Sequence, residues 1–262
     1  MAEQTKSGQA KSGQGKVAFV TGANRGLGLE TVRGLAQLGF TVLLGARDAA
    51  KGEVAAKQLR DEGLASVEAV KFEVAAPADH AAVAALIEKR FGKLDVLVNN
   101  AGVALEDVDF GAPGGFNTVA TVSPDLLRKV FDTNFFHTVA LTQVLLPLVR
   151  KSTAGRIVNL SSILGSLALH ADPASPIYAA KAFAYDASKT ALNAFTVHLA
   201  ALLKDTPVKV NSAHPGWVKT DMGGPSADLE LAEGGKTSVQ LATLGADGPT
   251  GGFFHLGKPL PW

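Results

Sequence analysis

The chain contains no cysteine, so neither a disulfide nor a thiolate metal site holds it together. That fits a reducing compartment and sets the expectation of a cytoplasmic protein. Long hydrophobic runs are absent as well. The stretch ALTQVLLPLV at 140–149 is interrupted by Gln143 and Pro147, and a membrane helix needs about 20 apolar residues. Neither sign of charge is in excess: 25 basic and 24 acidic side chains leave a net charge of +1, which gives no pull toward nucleic acid or an anionic membrane. The first 15 residues have no apolar segment and are rich in Gly, Gln, Lys and Ser. They are expected to form a disordered tail rather than a secretion signal.

What remains has the composition of a globular protein. Hydrophobic residues make up 47% and charged residues 19% of 262, enough to bury a substantial core. Short runs rich in β-formers alternate with segments of helical spacing. Strands are expected at 16–21, 41–44, 67–74, 94–98, 156–160, 208–213 and 252–255. Helices are expected at 29–40, 49–62, 77–91, 124–149, from Tyr185 to about Lys204, and at 229–244. Such alternation implies βαβ units with right-handed crossovers. The expected fold class is α/β, a Rossmann-type doubly wound parallel sheet with helices on both faces, in a single domain over 16–262. Two irregular segments, 103–123 (with GAPGGF) and 165–184 (with ADPASP), follow strand carboxyl ends, where open α/β sheets bind ligands. They read as substrate walls or as ordinary surface loops.

The first strand runs into TGANRGLG at 21–28 and then into a helix pattern. Gly22, Gly26 and Gly28 let the backbone turn sharply, and a helix N-terminus offers unpaired N–H groups to a phosphate. Turns need glycine for their own sake, but the place of this cluster, at strand one of an alternating chain, points to a dinucleotide. The end of the second strand reads Gly45-Ala46-Arg47-Asp48. An acid at this point grips the ribose 2′-OH of NAD, whereas Arg47 together with Arg25 of the glycine turn suits a 2′-phosphate. NADP(H) is therefore the expected cofactor, with Asp48 as the competing ribose ligand.

Tyrosine is scarce: Tyr178 and Tyr185 are the only two. Tyr178 is followed four residues later by Ala182, whereas Tyr185 is followed by Lys189. On a helix Tyr185 and Lys189 share a face. The cation is expected to lower the phenol below its usual value, which would make it a proton donor or acceptor near neutral pH.

The order of these pieces resembles the short-chain dehydrogenase/reductase family. TGANRGLG lies at 21–28, and Asn99-Asn-Ala-Gly102 follows the fourth strand. Asn134 stands in FDTNFFH, and Ser161-Ser162 closes the fifth strand. Tyr185-x-x-x-Lys189 opens the next helix, and His214-Pro-Gly-Trp-Val-Lys-Thr220 follows the sixth strand. Arg25, Arg47 and the closing GFFHLGKPLPW make the chain similar to NADPH-dependent carbonyl reductases within that family. The resemblance implies hydride transfer between a nicotinamide and a carbonyl or alcohol carbon. Tyr185 is then the acid/base, and Lys189 tunes it and binds the nicotinamide ribose. Ser162 hydrogen-bonds the substrate oxygen, and Asn134 holds a water that relays protons. The same resemblance gives the cofactor Gly22, Asn24, Arg25, Gly26, Leu27, Gly28 and Arg47 on the phosphate side. It also gives Glu73, Val74, Asn100, Ala101 and Gly102 around adenine and ribose, and Pro215, Gly216, Val218 and Thr220 near the nicotinamide. It assigns no metal.

The chain departs from the family pattern in two places. Glu73-Val74 stands where an Asp usually contacts adenine. The segment between Ser162 and Tyr185 is longer than in most members. In related carbonyl reductases a larger insertion there covers the helix faces that form tetramers, so monomer, dimer and tetramer all remain open. Leu164, Leu167, Leu169, Ile177, Trp217 and Met222 are candidate walls for a bulky carbonyl compound. Two other functions compete with a reductase: an alcohol or hydroxysteroid dehydrogenase working oxidatively, and a nucleotide sensor without turnover. His214, before Pro-Gly, reads as a turn-shaping residue.

Overall fold

Strand alternation decides the layers. Ala18 and Val20 of β1 (Val17–Val20), Val42 and Leu44 of β2 (Thr41–Ala46) and Val96 and Val98 of β4 (Val96–Asn99) enter one apolar cluster. Val17, Phe19, Leu43 and Leu97, one position out of phase on the same strands, enter another. A period of two with both faces apolar is the signature of a sheet buried on both sides. The computed structural model describes residues 13–106 and 119–262. Among them, eight strands form one sheet in the order β3-β2-β1-β4-β5-β6-β7-β8, with β3 at Val67–Lys71, β5 at Arg156–Leu160, β6 at Lys209–Ala213, β7 at Phe253–His255 and β8 at Lys258–Pro259. All pairings are parallel except β7 with β8.

The helices pack where their apolar stripes point. Val32, Leu35 and Ala36 of α1 (Gly26–Gln37), Ala55, Ala56 and Leu59 of α2 (Ala49–Asp61) and Leu241 and Ala242 near the chain's end line the first face. Val83 and Ile87 of α3 (Pro77–Phe91), Leu141 and Leu145 of α5 (His137–Arg150) and Leu199 and Ala200 of α7 (Phe183–Leu202) line the second. Local signals set their ends. Pro77 opens α3, and Gly92, at φ 70°, closes it in the left-handed region. Ser123 caps α4 (Pro124–Phe131) by accepting the Leu126 N–H at 3.2 Å.

Several elements differ from the sequence expectation. The helix expected at 124–149 is α4 and α5 joined by a π turn at Asp132–Phe136. A π turn carries no sequence pattern of its own, because it inserts one residue into an otherwise regular helix. The helix at 229–244 is divided into α8 (Leu231–Gly234) and α9 (Lys236–Ala242) at Gly235, where a Cβ would lie 2.9 Å from the backbone of α1. The irregular stretch 165–184 contains a short helix, α6 (Leu167–Ala171), whose first turn is capped by Ser166 Oγ. The third strand ends at Lys71, three residues early, and β8 was not expected at all. Of the N-terminal tail, residues 1–12 lie outside the described residues. Gly13 donates to the Leu38 carbonyl at 2.9 Å. Most of 103–123, including GAPGGF, also lies outside the described residues.

Candidate active site

The strand order reverses between β1 and β4, and at that switch point the two expected cofactor loops meet. Gly22 and Gly26 have φ of 62° and 58°. Asn100 clamps the turn: its Nδ2 donates to the Thr21 carbonyl at 2.7 Å and to the Gly22 carbonyl at 3.0 Å. The Asn100 and Ala101 N–H groups both donate to Thr21 Oγ1, at 3.0 and 2.9 Å. A Cβ on Gly28 would lie 2.6 Å from Asn100 Nδ2 and 2.7 Å from the Gly22 carbonyl, so only glycine fits this junction. A Cβ on Gly26 would meet nothing within 4 Å. Arg25 precedes α1 in extended conformation and does not cap it, which leaves the first N–H groups of α1 pointing into that open space. A glycine cradle over an uncapped helix start is what a pyrophosphate requires, so the residues fit a dinucleotide.

At the adenosine end, Arg25 pairs with Asp221 and Arg47 Nε lies 3.5 Å from Glu73 Oε2. Both guanidinium side chains are more than three-quarters exposed, so they can reorient onto a phosphate at little desolvation cost. Asp48 is engaged elsewhere: it caps α2 by accepting the Lys51 N–H at 3.1 Å, which takes its carboxylate away from a ribose role. Glu73 Oε1 accepts from Ala75 N–H at 3.3 Å, and Val74 is buried in the second core face. Leu27 packs against Gly234 and the core. Asn24 lines a groove of about 380 Å³ with Ala50, Lys51, Val54, Ala55 and Gln58. On the nicotinamide side, Gly216 follows Pro215 at φ 91°, Val218 bridges to Leu229, and Thr220 Oγ1 accepts the Gly223 N–H at 3.0 Å.

The four expected catalytic residues come together at the carboxyl edge of β4 and β5. Tyr185 lies in the first turn of α7, buried, with the Ser162 side chain near enough to act on its phenol. Lys189 Nζ lies 5.5 Å from the Tyr185 ring centroid and donates to the Leu160 carbonyl at 2.8 Å. Asn134 sits in the π turn. Its Oδ1 accepts the Val103 N–H at 2.8 Å, and its Nδ2 donates to the Val103 carbonyl at 2.8 Å and to Ser188 Oγ at 3.0 Å. The Asn134 amide is thus a clamp on the loop after β4, and its hydrogen-bonding hydrogens are all in use. His214 Nδ1 accepts the Ile163 N–H at 3.2 Å, which makes it an acceptor that holds the Ser162 loop. Burial, helped by His255, pushes His214 down to about 3, so it stays neutral.

The electrostatics correct one expectation. Lys189 does not pull the Tyr185 phenol down. Burial first, and then the Asp186 and Glu106 carboxyls, raise Tyr185 above its usual value, and the nearby Ser162 side chain only partly opposes them. The reason is depth: Lys189 is itself buried, and desolvation brings it down to about 8, so it gives up its proton before the phenol does.

Residues from segment 165–184 wall the phenol. Leu164, Ile177, Ala182 and Tyr185 form one apolar cluster, with Ala104, Ile163, Leu169 and Ala180 against it. Leu167 and Met222, also expected as walls, are 64% and 41% exposed, and Trp217 donates its indole N–H to the Gly223 carbonyl at 2.8 Å. The sequence reading missed Glu106, Asp186, His170 and Lys181, which surround the start of α7. Their positions follow no spacing rule, because Glu106 meets Tyr185 across 79 residues of chain.

The comparisons agree with this geometry. The chain is 34% identical to rat Carbonyl reductase [NADPH] 1, over 94% of this chain and 98% of that protein. It is 33% identical to Short-chain dehydrogenase/reductase 1 of Saponaria officinalis, over 95% and 97%. The structure superposes on NADPH-bound carbonyl reductase from chicken fatty liver with a TM-score of 0.78 at 29% identity, covering 95% of this chain and all of that one. The short chain dehydrogenase model matches residues 16–230, and the chain belongs to that family.

Proposed function

We propose that the protein is an NADP(H)-dependent oxidoreductase that reduces aldehydes or ketones to alcohols. One observation carries this reading: Tyr185, with Ser162 beside its phenol and Lys189 Nζ 5.5 Å from its ring centroid, lies at the sheet edge that also holds the glycine cradle. Bound nicotinamide supplies the hydride that reaches the carbonyl carbon. Ser162 and Tyr185 orient the carbonyl oxygen between two hydroxyls, where negative charge develops. Tyr185 donates its proton to that oxygen, and its neutral state in the buried site is the form a proton donor needs. Lys189, held by the Leu160 carbonyl beside the Tyr185 ring, orients the nicotinamide ribose in this reading. In this reading the proton returns through a water held at the π turn of Asn134, the role that the family resemblance gives this residue. The apolar cluster around Tyr185 excludes water and favours a bulky or hydrophobic carbonyl compound.

The reading includes a cytoplasmic setting and a small-molecule substrate, with neither nucleic acid nor membrane as partner. Among the described residues no helix is long and apolar enough to cross a membrane. Phe136, Val144 and Val197 are exposed on α5, its π turn and α7, and self-association through them is measured by sedimentation.

The test is consumption of NADPH against a panel of aldehydes, aryl ketones and α-keto esters. Tyr185→Phe should lower kcat by about 10²–10⁴-fold while NADPH still binds. A wild-type protein that binds NADPH and reduces no carbonyl would sink the reading. Changing Arg25 and Arg47 to Ala together should weaken NADPH about tenfold or more and NADH much less. Equal losses would move the 2′-phosphate to another site.

A further inference from the structure

The N-cap of α7 is Ala182, which has no group to offer the first turn. The Tyr185 N–H is bonded all the same, by Glu106 Oε1 at 2.8 Å from the loop after β4. Glu106 is 6% exposed, a burial an acid tolerates only with partners. A carboxylate at a helix N-terminus has such a partner in the helix dipole. Its other oxygen, Oε2, is buried and has no hydrogen bond among the described residues. The same is true of Oδ1 of Asp186, which is 7% exposed and follows Tyr185 directly.

Among the described residues, the lysines that flank this pair are bonded elsewhere. Lys181 Nζ, from the loop before α7, donates to the His170 carbonyl at 2.9 Å and lies 3.1 Å from His170 Nδ1. A lysine can only donate, so His170 Nδ1 carries the lone pair. Its Nε2 then bears the hydrogen, which faces the Leu164 carbonyl at 2.9 Å with Asp186 Oδ2 at 3.4 Å. His170, on α6, is therefore neutral. Lys189, on α7, is held by Leu160. Burial, and next the Glu106 carboxyl, push Asp186 up to about 8. Asp186 thus keeps its proton at neutral pH, close to the Glu106 carboxyl.

The loop that bears Glu106 also holds the cofactor cradle. Asn100 and Ala101 clamp Thr21 at one end. Val103 is tied through Asn134 to Ser188, whose hydroxyl donates to the Tyr185 carbonyl at 2.7 Å. Glu106 is the last link, and it takes the N–H of Tyr185 itself.

We propose that Glu106 is a positioning residue for proton transfer: by capping α7 from the loop after β4, it fixes Tyr185 relative to the glycine cradle. The inference rests on the reductase reading above. Glu106→Ala should lower kcat by about ten- to a hundredfold, with NADPH affinity and the KM for the carbonyl close to wild type. Glu106→Gln keeps an acceptor oxygen for the Tyr185 N–H and should restore kcat. It should also move to lower pH any alkaline limb of the kcat profile that Asp186 contributes, because the Glu106 carboxyl no longer raises Asp186. A purely structural role would not move that limb. Asp186→Asn should remove the Asp186 part of it. Hydrogen exchange read at the start of α7 reports the cap without turnover: Glu106→Ala should speed exchange at Tyr185, and Glu106→Gln should not. A folded Glu106→Ala protein with wild-type kcat overturns the proposal, as does a Glu106→Gln protein as impaired as Glu106→Ala. If the wild type reduces no carbonyl, the reductase reading falls with the positioning role, and unchanged exchange in Glu106→Ala would remove the cap as well.

Discussion

Asp186 holds a proton at neutral pH because it is buried beside another acid, and that has a consequence for stability. Its folded value of about 8 lies above the 3.8 of a free aspartate. Below the free value both states are protonated and nothing is lost. As pH rises toward 8, the unfolded chain releases a proton that the folded chain retains, so stability declines through that window. Asp186→Asn removes the decline and leaves a donor for the orphan Glu106 oxygen. The variant should be more stable at pH 7 by on the order of 2 kcal/mol, about 4–8 °C in Tm at this length, and unchanged near pH 4. Calorimetry at the two pH values decides it; an equal gain at both would mean that packing, not titration, is responsible. Tyr185 and Lys189 teach the companion lesson. Their i,i+4 spacing was legible in the sequence, but the direction of the phenol's shift was not, because it depends on how much water burial removes.

Elements are joined here by contacts that periodicity does not encode. The β1–α1 turn and the loop after β4 meet at Gly28, where a Cβ would strike the Gly22 carbonyl and Ala23 Cα at 2.7 and 2.8 Å. Backbone atoms cannot rotate away, so Gly28→Ala must part the two loops. An NADPH affinity about tenfold or more weaker, with a stability loss of about 1–3 kcal/mol, is expected from fluorescence titration and thermal melts. An unchanged affinity would show that the cradle tolerates opening. The glycine pattern announced a turn, and its place after the first strand announced a phosphate. That Asn100 braces the turn came only with the structure, since Asn100 and Gly22 are 78 residues apart. The π turn around Asn134 and the short helix α6 were equally silent, because their local sequence is compatible with regular helix or with loop.

Across the whole molecule, a line of buried amides and hydroxyls crosses the sheet. Asn99 Nδ2 on β4 donates to Asn159 Oδ1 on β5 at 2.8 Å. Asn159 Nδ2 donates to Thr196 Oγ1 on α7 at 2.8 Å, and Ser212 Oγ on β6 reaches the same hydroxyl at 2.9 Å. Removing the middle member strands partners on both sides. Asn159→Ala should cost about 2–4 kcal/mol in a single cooperative unfolding transition, with kcat retained at temperatures where the protein is folded. A loss of activity without loss of stability would place Asn159 in the site instead. At this scale the sequence by itself determined the two-faced parallel sheet, because short apolar strands alternate with helix patterns along the chain. It also pointed to the proposed hydride-transfer residues, through the order of motifs that resembles the short-chain dehydrogenase/reductase family. Only the tertiary structure decided how that chemistry is held: the cap from Glu106, the proton on Asp186 and the clamp from Asn100. These are contacts between distant segments in a space without water, where strength depends on burial and on the exact partner, and neither is written in local spacing.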